Sequence, residues 1–208
     1  RRYYAGIKFY RSTDGGASFS VITAMSSDLY DSERVTFANT PANPNVFYAL
    51  SSKGSNSSLE GVYKSNDAGA TWTKLTDANT PDIIGYYYQL PGGQSWYNLS
   101  IVVSPTNADE VVVGGVHIWK STDGGVNYTM IHNGWASSPT WIHCDYHEFR
   151  INPINNRLYS GNDGGIYFSD NFGTDWTDIS SGLQILQSYK IGVSATVEDY
   201  VVMGNQDN

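Results

Sequence analysis

The pattern Ser-x-Asp-x-Gly-x-x-aromatic recurs along this chain at nearly equal intervals, and a repeat of that length leaves few architectures open. The copies are Ser12, Asp14, Gly16, Phe19; Ser65, Asp67, Gly69, Trp72; Ser121, Asp123, Gly125, Tyr128; and a degenerate fourth, Ser169, Asn171, Gly173, Trp176. The serines at 12, 65, 121 and 169 are 53, 56 and 48 residues apart. Such a period marks one supersecondary unit stacked repeatedly. Tyr, Trp, Thr, Val and Gly are plentiful and no long stretch has helical periodicity, so the unit is built of short twisted strands. The expected fold class is all-β, a β-propeller of four-stranded antiparallel blades.

A second mark, Pro-x-Asn, precedes each later box: Pro41-Ala42-Asn43, Pro105-Thr106-Asn107 and Pro153-Ile154-Asn155. It reads as the turn between first and second strands, with Pro presetting the turn and Asn taking the left-handed position. The whole chain, 1–208, is then one propeller segment of three full blades and two halves. An outer half-blade spans 1–30, blades span about 31–76, 96–132 and 142–180, and an inner half-blade spans 188–208. The chain is expected to be an excerpt of a larger propeller, whose remaining blades are its first partner. The first full blade carries an insertion in Lys53–Glu60, and an irregular stretch, about 76–96, separates it from the second. Long loops of this kind more often serve function than idle.

The spacing within the box fits a hairpin turn between third and fourth strands, in which Asp bonds nearby amides, Gly takes a positive φ and the aromatic tucks beneath. Four copies on four blades cannot converge on one site, so the box is expected to be structural. Too few carboxylates accompany each copy for calcium.

A net charge of −8 with no basic stripe argues against a nucleic-acid partner and an anionic membrane surface. No apolar run is long enough to span a bilayer, so membrane insertion is not expected. The Arg1-Arg2-Tyr3-Tyr4 start lacks a signal-peptide core. The single cysteine, Cys144, cannot form an internal disulfide. Nothing in the sequence implies a cofactor.

Box and blade pattern together resemble the Asp-box, or BNR-repeat, propellers, which include sialidases, xyloglucan-cleaving glycoside hydrolases and sortilin-type receptors. The runs Gly93-Gln94-Ser95-Trp96-Tyr97-Asn98, His143-Cys144-Asp145-Tyr146-His147, Gly161-Asn162-Asp163-Gly164-Gly165 and Gly204-Asn205-Gln206-Asp207-Asn208 resemble more specifically a sortilin-like, glycosyl-hydrolase-like group of secreted bacterial proteins. That resemblance implies a secreted or cell-surface location. The turn Asn162-Asp163-Gly164-Gly165-Ile166-Tyr167 is similar to a loop with a catalytic Asp in xyloglucanases, but has one residue fewer between Asp and the Gly pair. A sialidase would hold its substrate carboxylate with three arginines, and only Arg150 lies near an inner strand here.

Functional residues are expected on the face away from the boxes. His143, Asp145 and His147 alternate at the start of an inner strand, which predicts that their side chains share one face. Asp163 lies in the next turn of that blade and Asp207 in the matching turn of the following one. These five would meet at one channel mouth, as a solvated polar network, a ligand site or, more weakly, a metal site through His143, Asp145 and His147. Asp145, Asp163 and Asp207 are the candidate catalytic carboxylates for a glycosidase. Trp96, Tyr97, Asn98, Trp141, His143, His147 and Gln206 are candidate ligand contacts, with packing as the competing role for the aromatics. Cys144 faces the other way and is expected in the core. The functional expectation is a module binding a glycan or protein at this mouth, with a glycoside hydrolase or an extracellular scaffold as alternatives.

Overall fold

The structure, a computed structural model, describes residues 8–22, 32–77, 79–87, 90–134, 141–183, 188–193, 196 and 201–205. Every regular element among them is a β-strand. Strands β1 (Tyr10–Arg11) and β2 (Ser20–Val21) form an antiparallel pair. A four-stranded sheet follows, β3 (Ser32–Thr40), β4 (Asn43–Lys53), β5 (Leu59–Ser65) and β6 (Thr73–Lys74). A small hairpin, β7 (Gly85–Tyr87) and β8 (Leu90–Gly93), precedes the second sheet, β9 (Ser100–Val103), β10 (Val111–Gly114), β11 (Ile118–Ser121) and β12 (Thr129–His132). The third sheet is β13 (Tyr146–Ile151), β14 (Leu158–Asn162), β15 (Gly165–Ser169) and β16 (Thr177–Asp178), and β17 (Ser188–Val193) pairs with β18 (Val201–Asn205). All pairings are antiparallel between strands adjacent in sequence. Strand β9 packs beside both β3 and β13, so first strands lie side by side and the sheets fan out as propeller blades.

The core lies between blades, and strand alternation divides it. Ile101, Val103, Val111 and Val113 of the second sheet pack on Val46, Tyr48, Leu50 and Val62 of the first. Their neighbours Val102, Val112 and Ile118 turn the other way, onto Tyr146, Phe149, Leu158 and Trp176 of the third. Both faces of β9 and β10 are therefore buried, which is why they read as unbroken apolar runs rather than alternating ones.

Each box closes in the same way. The serine Oγ accepts from the glycine amide at 2.8 Å in Gly16, Gly69 and Gly173 and at 2.9 Å in Gly125. The same hydroxyl donates to Oδ1 of Asp14, Asp67, Asp123 or Asn171. The carboxylate in turn accepts from the backbone and side chain of the residue four positions on, Ser18, Thr71 or Asn127. In the degenerate copy the polarity is exchanged: Asn171 Nδ2 donates to the Asp175 carboxylate at 2.8 Å. The glycines sit at φ between +83° and +93°, a region that L side chains rarely adopt. Hydrogen bonds hold the Asp67 and Asp123 carboxyls down at about 2, and Asp14 is also held well below the usual carboxylate range.

A basic residue before each of the first three box serines ties one blade to the next, a regularity not predicted from the repeat. Arg11 Nε donates to the Ala68 carbonyl at 2.8 Å and Lys120 Nζ to the Phe172 carbonyl at 3.1 Å, both at the box position after the acid. Lys64 Nζ instead reaches Asp109 at 2.8 Å, whose carbonyl accepts from the Gly124 amide.

The box aromatics differ in burial from the expectation. Trp176 is buried and Trp72 and Tyr128 are half-buried, but Phe19 is 62 % exposed. Each buried ring is covered by the preceding sheet, Tyr128 by the first and Trp176 by the second. Among the described residues no sheet precedes β1 and β2. The Pro-x-Asn asparagines also work differently. Asn43, Asn107 and Asn155 each accept at 3.1 Å through Oδ1 from the amide two residues on, and the left-handed residue is Asn156. The Lys53–Glu60 insertion is the tip of the β4–β5 hairpin: residues 54–58 form the turn, closed by Lys53 and Ser58 at 2.8 Å, and Lys53, Leu59 and Glu60 belong to the strands. The 76–96 stretch is likewise partly ordered, by the β7 and β8 hairpin.

Replacing the buried Ser121 with alanine strands the buried Gly125 amide and is expected to cost about 1–3 kcal/mol, read as a lower thermal midpoint. The depressed Asp67 and Asp123 values mean that box stability is present above the ordinary carboxylate value of 3.8 and is lost as pH falls toward 2. Asp67→Asn with Asp123→Asn keeps an acceptor without a titrating proton, so it should flatten the acid limb of the stability profile; an unchanged limb would refute the assignment.

Candidate functional site

Antiparallel connectivity puts the box turns at one end of the blades and the β14–β15 turn, with the segments entering β9 and β13, at the other. Asp163 lies in that turn, Gln94–Asn98 enter β9, and Trp141–Asp145 enter β13. A helical turn, with the Tyr97 and Asn98 amides donating to the Gln94 carbonyl at 2.7 and 3.0 Å, sets the Gln94 and Asn98 side chains side by side. Arg34 fastens this turn from below, donating to the Tyr97 carbonyl at 2.9 Å.

Both amides point at Asp145. Asn98 Nδ2 donates to Asp145 Oδ1 at 2.7 Å, Gln94 Nε2 donates to the same oxygen, and Tyr86 donates to Gln94 Oε1 at 2.9 Å. Asn98 is fully buried, and its Oδ1 has no hydrogen-bond partner. Asp145 sits at φ +65°, an uncommon conformation for a non-glycine residue and one concentrated at functional sites.

That conformation corrects the expected alternation. Strand β13 begins only at Tyr146, after the left-handed Asp145, and its register shifts between Tyr146 and Glu148, leaving His147 as a bulged residue. A bulge re-aims a side chain. His143, Asp145 and His147 therefore do not share one face as a strand would make them. His147 Nε2 meets Asp163 Oδ1 at 2.5 Å, and the Tyr97 hydroxyl donates to that oxygen at 3.2 Å. The Tyr97 and His147 rings meet edge to face at 4.5 Å, and Trp96 lies 5.5 Å from Tyr97.

His143 instead meets Trp141 edge to face, with ring centres 5.5 Å apart, and lies against Gly164. A Cβ on Gly164 would stand 2.4 Å from the His143 Cβ, so this turn needs glycine for close approach. Trp141 Nε1 donates to the Gly134 carbonyl at 3.3 Å. Cys144 is buried, and burial with the neighbouring Asp145 charge pushes its thiol up to about 12, which keeps it protonated and unsuited to nucleophilic work. Among the described residues no group of three or more His, Cys, Asp or Glu is arranged to hold a metal ion.

The structure thus brings together Trp96, Tyr97, Asn98, Asp145, His147 and Asp163, and sets Trp141 and His143 beside them through Gly164. Gln206 and Asp207 lie outside the described residues. Sequence reasoning missed Gln94 and Arg34 as contributors. Two amides four residues apart around exposed aromatics were the available signal for Gln94; nothing local marks Arg34, which acts across blades. A separate cleft of about 780 Å³, lined by residues including Lys53, Glu60, Lys74 and Asp82, lies beside the first sheet and includes none of the candidate residues.

No protein family matches the sequence, and no curated protein does. Among solved structures the chain is similar to a GH74 enzyme of Niastella koreensis, with a TM-score of 0.60 at 18 % identity over 95 % of this chain. It spans 30 % of that enzyme's length. The likeness is one of fold and agrees with the propeller topology. Weaker likenesses, with TM-scores of 0.45 and 0.41, are to YCF48 bound to D1 peptide and to YCF48 of Cyanidioschyzon merolae. The first is 15 % identical over 96 % of this chain and 70 % of that one, the second 21 % over 71 % and 37 %.

Gly164→Ala should displace His143 and with it Trp141, at a cost of about 1–3 kcal/mol. A changed tryptophan emission spectrum together with a lower thermal midpoint is the expected result; an unaltered spectrum would contradict the packing described.

Proposed function

We propose that this chain is part of a secreted or cell-surface propeller that binds a glycan at the mouth formed by Trp96, Tyr97, Trp141, His147 and Asp163. The observation that carries this reading is the exposed ring of Trp96, 62 % accessible, set against Tyr97 and the His147–Asp163 pair. Aromatic faces match the apolar faces of sugars, and adjacent carboxylate and imidazole groups match their hydroxyls. Packing explains the buried rings but leaves Trp96, Tyr97 and Trp141 at the surface. The four boxes and their uniform hydrogen bonding support placement among the Asp-box propellers, in the sortilin-like, glycosyl-hydrolase-like group, with further blades outside this chain.

A second reading, a glycoside hydrolase, is favoured by one observation. Asp145 and Asp163 stand at the same mouth in different environments, one held by amides and the other by a histidine and a tyrosine. Distinct surroundings are how paired carboxylates divide acid and base roles.

Trp96→Ala should weaken binding in a glycan panel by about 1.4 kcal/mol, roughly tenfold, with the thermal midpoint unchanged because the ring is exposed. Calorimetric titration measures it. Unaltered affinity in this variant, or no glycan bound by the wild type, would refute the mouth as a glycan site. Release of reducing sugar that Asp163→Asn and Asp145→Asn abolish while binding persists would establish the hydrolase instead.

A further inference from the structure

We propose that the mouth selects a glycan carrying a free amino group, such as an oligosaccharide of glucosamine, by seating its ammonium between the Asp163 carboxylate and the rings of Tyr97 and Trp96. This rests on the glycan reading above. An open carboxylate oxygen beside exposed aromatic rings carries this inference. Side-chain donors at the mouth are already directed inward: Asn98 Nδ2 and Gln94 Nε2 to Asp145, the Tyr97 hydroxyl and His147 Nε2 to Asp163. The Tyr86 hydroxyl is spent on Gln94 and the Trp141 indole on the Gly134 carbonyl. Three others stand apart: the buried Asn162 Nδ2, which has no partner, and Trp96 Nε1 and His143 Nε2, which make no hydrogen bond among the described residues.

One acceptor remains open. Asp163 takes both of its bonds through Oδ1, and Oδ2 accepts none among the described residues. The other unpaired acceptor, Asn98 Oδ1, is fully buried and lies out of a ligand's reach. A ligand that brings donors can satisfy this carboxylate oxygen, and an ammonium brings three. Charge points the same way. The nearby arginines are committed, Arg34 to backbone carbonyls and Arg150 to Glu148 at 3.0 Å, and the chain carries −8 overall. The exposed Trp96 and Tyr97 rings, tilted 44° to each other, add faces that attract a cation within about 6 Å of the ring centre. Acetylating the amine removes both attractions.

The test is calorimetric titration of the whole chain at about pH 6 with pentamers of glucosamine, N-acetylglucosamine and glucose. The glucosamine pentamer should bind about tenfold or more tighter than the other two, and added salt should erode the difference. Asp163→Asn should bring it to the level of the glucose pentamer while leaving the glucose pentamer's own affinity in place. Trp96→Ala, at an exposed position, should lower it too and serves if the Asp163 variant fails to fold. Equal affinity for all three pentamers, or a preference that survives Asp163→Asn, overturns the ammonium seat and leaves the glycan reading standing. Binding of none of them overturns both. A lysine-rich peptide that binds where no pentamer does overturns both in favour of a protein ligand.

Discussion

The serine hydroxyl of each box, accepting from a glycine amide and donating to the acid two residues after it, is the interaction on which the rest depends. It fixes a turn in which the residue after the acid also lies at positive φ, as at Ala68 and Phe172, and so presents its carbonyl outward. The preceding blade supplies Arg11 or Lys120 to that carbonyl. One local hydrogen-bond pattern therefore serves twice, closing a hairpin and offering the next blade a docking point. With the sheets registered in this way, Val111, Val112 and Val113 can alternate between two inter-blade cores.

Because that constraint acts at one end of the blades, the other end is free to depart from regular strand geometry. There Asp145 takes a left-handed conformation, His147 bulges out of register and Gly164 admits His143 at a distance no side chain would allow. Local distortion held by surrounding hydrogen bonds is how a rigid scaffold aims functional groups. The Gln94 and Asn98 amides, fastened by Arg34 from the neighbouring blade, are the holding elements here.

The same contrast explains what was legible in the sequence. The repeat was legible because each box needs its own serine, acid and glycine, a requirement met within a few residues. The blades followed from it. The mouth was legible only as a list of residues: His143, Asp145 and His147 were spaced as a strand spaces them, and nothing in the sequence announced the positive φ at Asp145 or the bulge at His147. The Asn98–Asp145 bond joins residues 47 positions apart, which no local pattern records. The Lys53–Glu60 insertion reads as a loop because its polar residues suit a turn, and residues 54–58 do form one, at the tip of the β4–β5 hairpin.

In this molecule the boxes hold the blades, and we propose that the opposite end binds the ligand. Hydrogen–deuterium exchange of the chain, with and without the glucan and glucosamine pentamers, tests it most directly. The account predicts new protection in 94–98, 141–147 and around Asp163, with the box turns at 65–72 and 121–128 already protected and unchanged. New protection confined to the box turns, or to the cleft near Lys53 and Asp82, would contradict it.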